Sequence, residues 1–279
     1  TPDAANRVKL AAANKILANL DDGQNVFFLD IGEEFLNDDG LLPEEIMPDA
    51  LHPNTLGYWI WARAMEPAVS RLMGEMSPDR PPKGFVALFN GKDLTGWKGL
   101  LKGPLDNPEK RAALTPEELA AAQAEADTLA REHWGVIDGV LKYDGKGTSL
   151  CTAQDYADFE MIVDWKIPAK GDSGIYLRGA PQVQIWDTAQ WPEGSGGLYN
   201  NQKNPSKPLV CADKPIGEWN TFYIKMIGER VTVYLNNTLV VNNVVMENYW
   251  NREIPIFPSG QLELQHHGSD LWFTNVYLR

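Results

Sequence analysis

From about residue 85 onward, short apolar runs alternate with Gly, Asn, Asp and Pro. Runs with the length and alternation of β-strands occur at residues 85–89, 136–143, 159–167, 173–178, 182–186, 221–227, 230–235, 238–241, 261–265 and 271–278. Within them, residues 230–241 predict a hairpin with Asn236 and Asn237 at the turn. Many short strands separated by turn residues are typical of two packed antiparallel sheets, so this part is predicted to be mainly β, a β-sandwich of the jelly-roll type.

The first 74 residues have a different pattern. Residues 7–20 and 54–73 have the apolar spacing of helices, and residues 25–31 (NVFFLDI) form a continuous apolar run, typical of a strand covered on both faces. This pattern predicts a partial α/β domain over residues 1–74. One strand and two helices cannot cover both faces of a parallel sheet, so we expect this segment to need neighbours. Residues 75–84 are predicted to be a Pro-rich linker.

A helical pattern interrupts the β-rich part. Residues 115–133 combine Thr115 as an N-cap, Pro116 at the first helical position and Glu118 as the partner in a capping box. The helix is largely polar, which predicts that it lies on the surface of the sandwich. The helical insertion is expected to cover residues 104–133 approximately.

Composition limits the function classes. The formal net charge of −13 argues against binding to nucleic acid, which requires a basic face. No apolar run is long enough to span a membrane. Cys151 and Cys211 do not belong to a CxxC pair, so a structural zinc site is not predicted, and the two cysteines are either a disulfide or two free thiols.

Alternation along four of the predicted strands separates an apolar side from a polar side. The polar sides together carry Glu160, Asp164, Tyr176, Arg178, Gln182, Gln184, Trp186, Glu263, Gln265 and His267. A solvated sheet face would carry mostly Lys, Glu, Thr and Ser, whereas Gln and Arg have planar groups suited to neighbouring hydroxyls. This composition favours a ligand-binding face over a merely solvated one.

The loop after Trp186 adds Trp191 and Tyr199 on a Gly-rich segment. These aromatic side chains either close over a sugar or pack on the sheet as a hydrophobic lid. His266 and His267 point to opposite sides of a regular strand, so they are not expected to bind one metal ion together. His267 with nearby carboxylates could bind a divalent metal, and the sequence leaves the cofactor unknown.

Asp49 and His52 are separated by two residues in a loop before the second predicted helix. This spacing allows the carboxylate to orient the imidazole, as a base for a nucleophile requires, although a capping Asp beside a surface His has the same spacing. The stretch NVFFLDIGEEFLNDDGLLPEEIMPDALHPNTLGYWIWARAM resembles the final segment of SGNH (GDSL-type) hydrolases. The resemblance implies that Asp49 and His52 belong to a Ser-His-Asp triad. The family's Ser block and oxyanion-hole blocks are absent here, so the dyad is incomplete. Either an upstream esterase portion of the same protein completes it, or this segment is a structural remnant.

A second resemblance covers residues 85–279. FVALFNGKDLTGWKG, HWGVIDGVL, YADFEMIVDWKI, GDSGIYLRG, QVQIWD, GGLYNNQ, GEWNTFYI and GQLELQHHGSDLWFTNVYL occur in this order. Together they resemble the 3-keto-disaccharide hydrolase domain family, whose fold is a concanavalin-like jelly roll. The resemblance implies a bacterial protein, secreted or periplasmic, that acts on an oxidised glucoside or glycan. Cleavage would proceed by hydrolysis, or by elimination followed by hydration.

This chemistry requires a base for the C2 proton, a donor for the enolate oxygen and an acid for the leaving oxygen. The candidates are His267 or Asp187 as base, Arg178 and Gln184 for enolate and hydroxyl recognition, and Glu160 or Asp164 as acid. Tyr176, Gln182, Trp186, Trp191, Tyr199, Glu263 and Gln265 are the remaining predicted substrate-binding residues.

Two features complicate this assignment. The family often has an acidic residue where this chain has Gln182. Asp187 is out of phase with Gln184, so it either lies where the strand ends or is structural. The alternative function is a non-catalytic carbohydrate-binding module attached to an SGNH-type esterase, and a third interpretation is a purely structural interaction domain.

Overall fold

The chain forms two compact units, residues 1–82 and residues 83–279. The computed structural model describes residues 4–23, 25–37, 39–72, 81–82 and 84–279. Most of the predicted linker, residues 75–80 and residue 83, lies outside the described residues.

The first unit contains α1 (Ala4–Leu17), two short 3-10 helices (Ala18–Leu20 and Gly32–Phe35) and α2 (Thr55–Leu72). Both predicted helices are present. The strand predicted at residues 25–31 is wrong, because none of the described residues of this unit forms a strand. A strand needs a hydrogen-bonded neighbour, and here Val26, Phe27 and Leu29 remain exposed.

The second unit consists of short strands and two helices. The strands are β1 (Val86–Ala87), β2 (Trp97–Gly99), β3 (Trp134–Ile137), β4 (Val140–Asp144), β5 (Leu150–Thr152), β6 (Phe159–Lys166), β7 (Asp172–Leu177), β8 (Ala180–Trp186), β9 (Asn220–Ile227), β10 (Arg230–Leu235), β11 (Thr238–Val245), β12 (Glu263–Leu264) and β13 (Asp270–Leu278). The sequence pattern did not predict β2 and β5, because three residues are too few to show alternation.

These strands form two sheets in which every pairing is antiparallel. The larger sheet has the order β11-β10-β9-β6-β13-β4-β3, with β1 also paired to β13. The smaller sheet has the order β2-β5-β12-β7-β8. The predicted fold class, a mainly β sandwich of the jelly-roll type, is confirmed for this unit.

The core lies between the two sheets and is built by alternation. Ile175, Val183 and Leu264 of the smaller sheet belong to the same buried cluster as Val163 and Phe222 of the larger sheet. Each of these side chains is fully excluded from solvent. Burial of a large aliphatic or aromatic side chain stabilises a fold by about 1.5–3 kcal/mol, so this cluster holds the sheets together.

The helical insertion consists of α3 (Pro108–Ala112) and α4 (Pro116–His133). Thr115 and Glu118 form the predicted capping box. α4 contacts β2 of the smaller sheet and β3 of the larger sheet, so it covers one edge of the sandwich. A Cβ on Gly99 would lie 2.1 Å from the carbonyl oxygen of Ala126, which explains the glycine at this close approach.

Two smaller predictions concern a turn and the cysteines. Asn236 and Asn237 join β10 to β11 with φ angles of 49° and 69°, a left-handed conformation that Asn tolerates. The predicted hairpin is therefore present. Cys151 is buried and Cys211 is exposed, and the two are not joined by a disulfide.

No helix of the described residues is both long and apolar enough to cross a bilayer.

Candidate functional site

The outer side of the smaller sheet is lined by polar residues in register. Lys98, Cys151, Glu263, Tyr176 and Gln182 pair across the five strands. Gln265, Gly174 and Gln184 are adjacent in the next row, and Asp172 pairs with Trp186 beyond it. Paired residues point to the same side of a sheet, so these residues share one surface, which we call the polar face.

A chain of hydrogen bonds crosses the middle of the polar face. Nε2 of Gln182 donates to Oε1 of Gln184 (2.9 Å), and Nε2 of Gln184 donates to Oδ1 of Asp172 (2.8 Å). Nε2 of Gln182 also lies 3.4 Å from Oε1 of Gln265. A Cβ on Gly174 would lie 2.6 Å from Cγ of Gln182, so the glycine makes room for this amide. The predicted residues Gln182, Gln184 and Gln265 therefore converge.

His267 lies at one end of this chain. Its Nδ1 is 3.7 Å from Oδ2 of Asp172, and its side chain is more than half exposed. Burial raises the pKa of Asp172, and the neighbouring His267 lowers it. The separation of 3.7 Å is longer than a hydrogen bond, so the contact between the carboxylate and the ring is electrostatic, and it leaves the other ring nitrogen for a ligand. This arrangement is suited to proton transfer at His267.

Glu263 lies at the other end of the polar face. The residue is only 3% exposed. Burial raises the pKa of Glu263 to about 8, although Arg111 lowers it, and Asp106 raises it further. Its carboxyl group therefore carries a proton at neutral pH. Arg111 and Asp106 both come from the helical insertion.

Tyr176 lies between Glu263 and the glutamines. Its hydroxyl oxygen is 3.5 Å from Nε2 of Gln265, and burial raises the pKa of the phenol above its usual value. The neutral hydroxyl can donate a hydrogen bond to a ligand oxygen that gains negative charge.

Three predicted aromatic residues form a cluster beside the polar face. The ring of Trp186 stacks on that of Trp191 at a centroid distance of 4.9 Å, and Tyr199 contacts Trp186 edge-on at 5.6 Å. Trp186 is buried, whereas Trp191 and Tyr199 expose 42% and 52% of their surface. Exposed aromatic rings at the rim of a polar surface can stack on a sugar ring. The sequence pattern left open a packed lid or a sugar platform, and the cluster has features of both.

Two predicted residues lie on the other sheet. Glu160 and Asp164 are on β6 in the larger sheet, where Glu160 accepts hydrogen bonds from Tyr223 and Arg279, and Asp164 from Thr221 and Asn275. The expectation that they converge with His267 is wrong, because alternation identifies the outward side of a strand but not the sheet to which the strand belongs.

Arg178 also differs from the prediction. It follows β7, has a φ of 57° and is 2% exposed. Its guanidinium donates to the carbonyl oxygens of Ala157 and Phe257 and pairs with Asp158 at 2.9 Å. Paired register places Arg178 at the opposite end of the sheet from His267. The predicted role of Arg178 in enolate recognition is therefore not compatible with its position.

Asp187 directly follows the last residue of β8 and has a structural role. Its Oδ2 accepts a hydrogen bond from the backbone N–H of Lys170 (2.7 Å), and its Oδ1 accepts one from Ala189 (2.9 Å). These bonds fasten two loops together. The position of Asp187 at the end of the strand agrees with one of the two readings that the sequence left open, and its hydrogen bonds to the backbone agree with the structural one.

Sequence reasoning missed Asp172 and Arg111. Asp172 is in phase with Gly174 and Tyr176, so alternation extended by one step would have included it. Arg111 had no comparable signal, because its position near Glu263 depends on how the insertion folds back.

The described residues contain no cluster of three or more His, Cys, Asp and Glu side chains that could hold a metal ion. Nδ1 of His266 contacts Oγ of Ser149 at 2.8 Å, whereas His267 faces Asp172. The two histidines therefore have different partners.

In the first unit, Asp49 and His52 form a contact. Nδ1 of His52 is 2.6 Å from Oδ2 of Asp49, and both side chains are largely exposed. Hydrogen bonds from the His52 side chain and from the backbone N–H groups of His52 and Leu51 lower the pKa of Asp49. The pair has the geometry of a carboxylate that orients an imidazole.

Comparison with known proteins agrees with this fold. Residues 84–279 match the model of a family described as 3-keto-alpha-glucoside-1,2-lyase-like domain. The chain belongs to this family. The resemblance noted for residues 85–279 is confirmed, whereas that of residues 1–74 to SGNH hydrolases stays a prediction.

Individual relatives add detail. The chain is 23% identical over 251 residues to a 3-keto-disaccharide hydrolase of Bacteroides thetaiotaomicron, covering 70% of this chain and 78% of the relative. Two solved structures of proteins from Parabacteroides distasonis assigned as glycosyl hydrolases are also similar. One has 25% identity and a TM-score of 0.52, covering 71% of this chain and 84% of that chain. The other has 24% identity and a TM-score of 0.51, covering 71% and 94%. The second unit is thus a carbohydrate-active domain of the glycoside hydrolase class.

Proposed function

We propose that this protein cleaves the glycosidic bond of 3-keto-glycosides on the polar face of the smaller sheet. The observation that carries the proposal is the linked set Gln182, Gln184, Asp172 and His267, which joins hydroxyl-binding amides to a group that can move a proton. The family and the named relative support the substrate class.

In the first step, His267 acts as the base. A ketone at C3 acidifies the hydrogen on C2, so the imidazole can remove this proton. The electron pair of the C2–H bond then forms a C1=C2 double bond while the bond from C1 to the leaving oxygen breaks. The imidazolium passes its proton to the leaving oxygen. The products are a free alcohol and an unsaturated 3-keto sugar.

Negative charge collects on the C3 oxygen during this step. The neutral hydroxyl of Tyr176 and the amide of Gln265 are the donors available on the polar face. These groups take over the role that the sequence suggested for Arg178. Preorganised donors of this kind typically lower a barrier by about 2.7–4 kcal/mol each. The amide of Gln184 already donates to Asp172 and to backbone carbonyl oxygens, so it positions Asp172 instead.

Water completes hydrolysis. The neutral imidazole of His267 takes a proton from water as the water oxygen adds to C1 of the unsaturated ketone, and the imidazolium then returns that proton to C2. If the intermediate leaves before water adds, the same site acts as a lyase. The two outcomes match the two activities in the printed names: the family is named for a 1,2-lyase, and the relative is named as a hydrolase.

The proposal is tested by following methyl 3-keto-glucoside in D₂O by NMR, with a protein-free sample as control. We expect release of methanol and, for the hydrolytic course, deuterium at C2 of the sugar product above the level of the control. Release without excess deuterium would replace elimination by direct hydrolysis. Absence of release would contradict the proposal and leave the alternative, a carbohydrate-binding module, which the exposed Trp191 and Tyr199 favour.

The first unit is proposed to be part of an esterase whose nucleophile comes from elsewhere. The support is the contact between Asp49 and His52. The serines of the first 82 residues are Ser70 and Ser77, neither within the DALH loop. We therefore expect that any hydrolysis of p-nitrophenyl acetate by this protein is unchanged in His52→Ala. A rate that His52→Ala abolishes would contradict this expectation.

A further inference from the structure

The carboxylate of Glu247 holds the loop that follows Tyr199. Its Oε1 accepts hydrogen bonds from the backbone N–H groups of Lys203 and Asn204 (2.7 Å each) and from the side-chain amide of Asn204 (3.1 Å). Its Oε2 accepts a hydrogen bond from the backbone N–H of Gln202 (3.0 Å). Successive N–H groups that converge on one point form a concave site for an anion. In this loop Glu247 supplies the anion, so the three residues have one favoured position around it.

Asn201 ties the same loop back to the segment of Glu247. The backbone N–H of Glu247 donates to Oδ1 of Asn201 (3.0 Å), and Nδ2 of Asn201 donates to the carbonyl oxygens of Val245 (2.9 Å) and Pro205 (3.1 Å). Asn201 is buried, and the Glu247 side chain is 9% exposed. Each side chain thus bonds the backbone around the other, and shielding from water strengthens these bonds.

The Glu247 carboxylate is ionised at neutral pH. Burial by itself raises the pKa of Glu247, but the hydrogen bonds from the N–H groups of Asn204, Gln202 and Lys203 lower this pKa to about 2. Nη1 of Arg252 also donates to Oε2 of Glu247 (3.0 Å). Hydrogen bonds to an ionised acceptor are about twice as strong as neutral ones, so the loop is held firmly across the neutral pH range.

The chain before Tyr199 is fixed to the polar face. The backbone N–H of Gln184 donates to the carbonyl oxygen of Gly197 (2.9 Å), and the N–H of Gly196 donates to the carbonyl oxygen of Gln184 (2.8 Å). Tyr199 is two residues after Gly197 and two residues before Asn201. The backbone is therefore anchored on both sides of Tyr199, on one side by a strand of the proposed site and on the other by the Glu247 carboxylate.

The ring of Tyr199 depends on this anchoring. It meets Trp186 edge-on at 5.6 Å, and the residue exposes about half of its surface. Few packing contacts fix a ring that is half in solvent, so its place follows the position of the backbone. Without the Glu247 carboxylate the loop would gain conformational freedom, and the ring would lie beside Trp186 for only part of the time.

We propose that Glu247 is a positioning residue for sugar binding, which acts through the loop of Tyr199 and holds its ring beside Trp186 before the substrate arrives. A ring that is already in place loses less conformational freedom when a sugar binds, so this preorganisation increases the affinity. The inference rests on the part of the proposed function that places the sugar beside the aromatic cluster.

A second route leads from Glu247 to another exposed ring, that of Tyr249. The guanidinium of Arg252 lies over the Tyr249 ring at 5.8 Å from its centroid, and this ring meets Trp250 edge-on at 5.0 Å. Nε1 of Trp250 donates to the carbonyl oxygen of Gly179 (2.8 Å). This route depends on Arg252, whereas the route to the loop uses backbone N–H groups. Substitution of Arg252 therefore separates the two routes.

The test is a double-mutant cycle between Glu247 and Tyr199, measured by calorimetry with methyl glucoside at a temperature at which every variant is folded. Glu247→Gln keeps the size of the side chain but places an amide group against N–H donors. We expect it to weaken binding by about fivefold, and Tyr199→Ala to weaken binding by about tenfold. The double variant should bind no more weakly than Tyr199→Ala, because Glu247 acts through the ring.

Glu253→Gln is the matched control and should leave the affinity unchanged, since Glu253 is an exposed carboxylate six residues after Glu247. Arg252→Ala leaves the backbone hydrogen bonds of Glu247 in place, so we expect it to weaken binding by less than about twofold. For methyl 3-keto-glucoside, Glu247→Gln should raise KM by about fivefold and leave kcat within about twofold, because Glu247 does not touch the reacting atoms.

Losses that multiply in the double variant would overturn the inference, because they are expected of a general structural effect. An unchanged affinity in Glu247→Gln or in Tyr199→Ala, or an equal loss in Arg252→Ala, would also overturn it. If Glu247→Gln does not fold, Asn201→Ala breaks the same attachment from the other side and takes its place in the cycle. The expected pattern of binding without release of methanol from methyl 3-keto-glucoside would contradict the proposed cleavage but not the positioning role.

Discussion

The outer faces of the two sheets both carry acidic and amide side chains, but they differ in how those groups are bonded. On the larger sheet, Asp164 is 1% exposed and both its carboxylate oxygens accept hydrogen bonds, from Thr221 (2.6 Å) and Asn275 (2.7 Å). On the smaller sheet, Gln182, Gln261 and Glu263 are as deeply buried and each keeps an oxygen without a donor.

This difference separates structure from function. A buried polar group that has all its partners stabilises one arrangement of the fold, whereas a buried group without partners lowers stability until a ligand arrives. The larger sheet therefore uses its polar residues to hold strands together. The smaller sheet keeps its polar residues available, and this is where a substrate is expected to bind.

Substitution of His267 on the smaller sheet is expected to have the largest effect on turnover. His267→Ala should lower kcat/KM for a 3-keto-glycoside by about a hundredfold to ten-thousandfold, because it removes the proposed base. The matched control is His266→Ala, which loses the contact with Ser149 and should change kcat/KM by less than about threefold. Equal effects of the two substitutions in steady-state assays would remove His267 from the reaction.

On the larger sheet, the expected loss is in stability. Asp164→Ala leaves Thr221 and Asn275 without their acceptor, and we expect it to lower the free energy of unfolding by about 3–5 kcal/mol in urea titrations. The turnover of the folded fraction should stay near the wild-type value. A large loss of turnover in a fully folded variant would show that the larger sheet also takes part in the reaction.

The pH dependence of stability tests the burial of Glu263 on the smaller sheet. The pKa of Glu263 in the folded protein is about 8, which is above its value in the unfolded chain. Between these two pKa values the folded state binds more protons than the unfolded state. The stability of the folded protein therefore falls as the pH rises through this window. A full proton difference corresponds to about 1.4 kcal/mol per pH unit. Glu263→Gln cannot ionise, so we expect its stability relative to the wild type to increase from pH 5 to pH 8.

Urea unfolding of both proteins across that range measures the effect. Arg111 and Asp106 remain in both, which makes the difference specific to Glu263. Parallel pH profiles would mean that Glu263 ionises at an ordinary pH and that its burial is looser than the structure indicates.

The smallest expected effect is at the aromatic rim. Trp191 is partly exposed and stacks on Trp186, so Trp191→Ala should weaken sugar binding by about tenfold while leaving kcat nearly unchanged. Calorimetry with an unoxidised glucoside and steady-state kinetics together separate the two quantities. A loss in kcat that exceeds the loss in affinity would assign the cluster to closure of the site rather than to sugar stacking.

Much of the fold followed from local pattern. The hairpin at Asn236 and Asn237, the capping box at Thr115 and Glu118, and the polar sides of β7 and β8 could each be predicted, because each depends on residues close together in the chain. The short strands β2 and β5 could not, because their pairing with longer strands defines them rather than any alternation of their own. The apolar run at residues 25–31 shows the converse, since a strand-like sequence forms no strand without a neighbour.

For the candidate site, too, some features could be predicted from the sequence and others depended on the tertiary structure. The sequence by itself determined the fold class of the second unit, its likeness to a carbohydrate-active family, and the outward direction of Gln182, Gln184, Gln265 and His267. Only the tertiary structure decided that Glu160 and Asp164 belong to the other sheet, that Arg178 is buried in a structural network, and that Arg111 approaches Glu263. The physical reason is that alternation depends on backbone geometry within one strand, whereas the meeting of side chains from different strands and an insertion depends on pairing and packing between residues far apart in the chain.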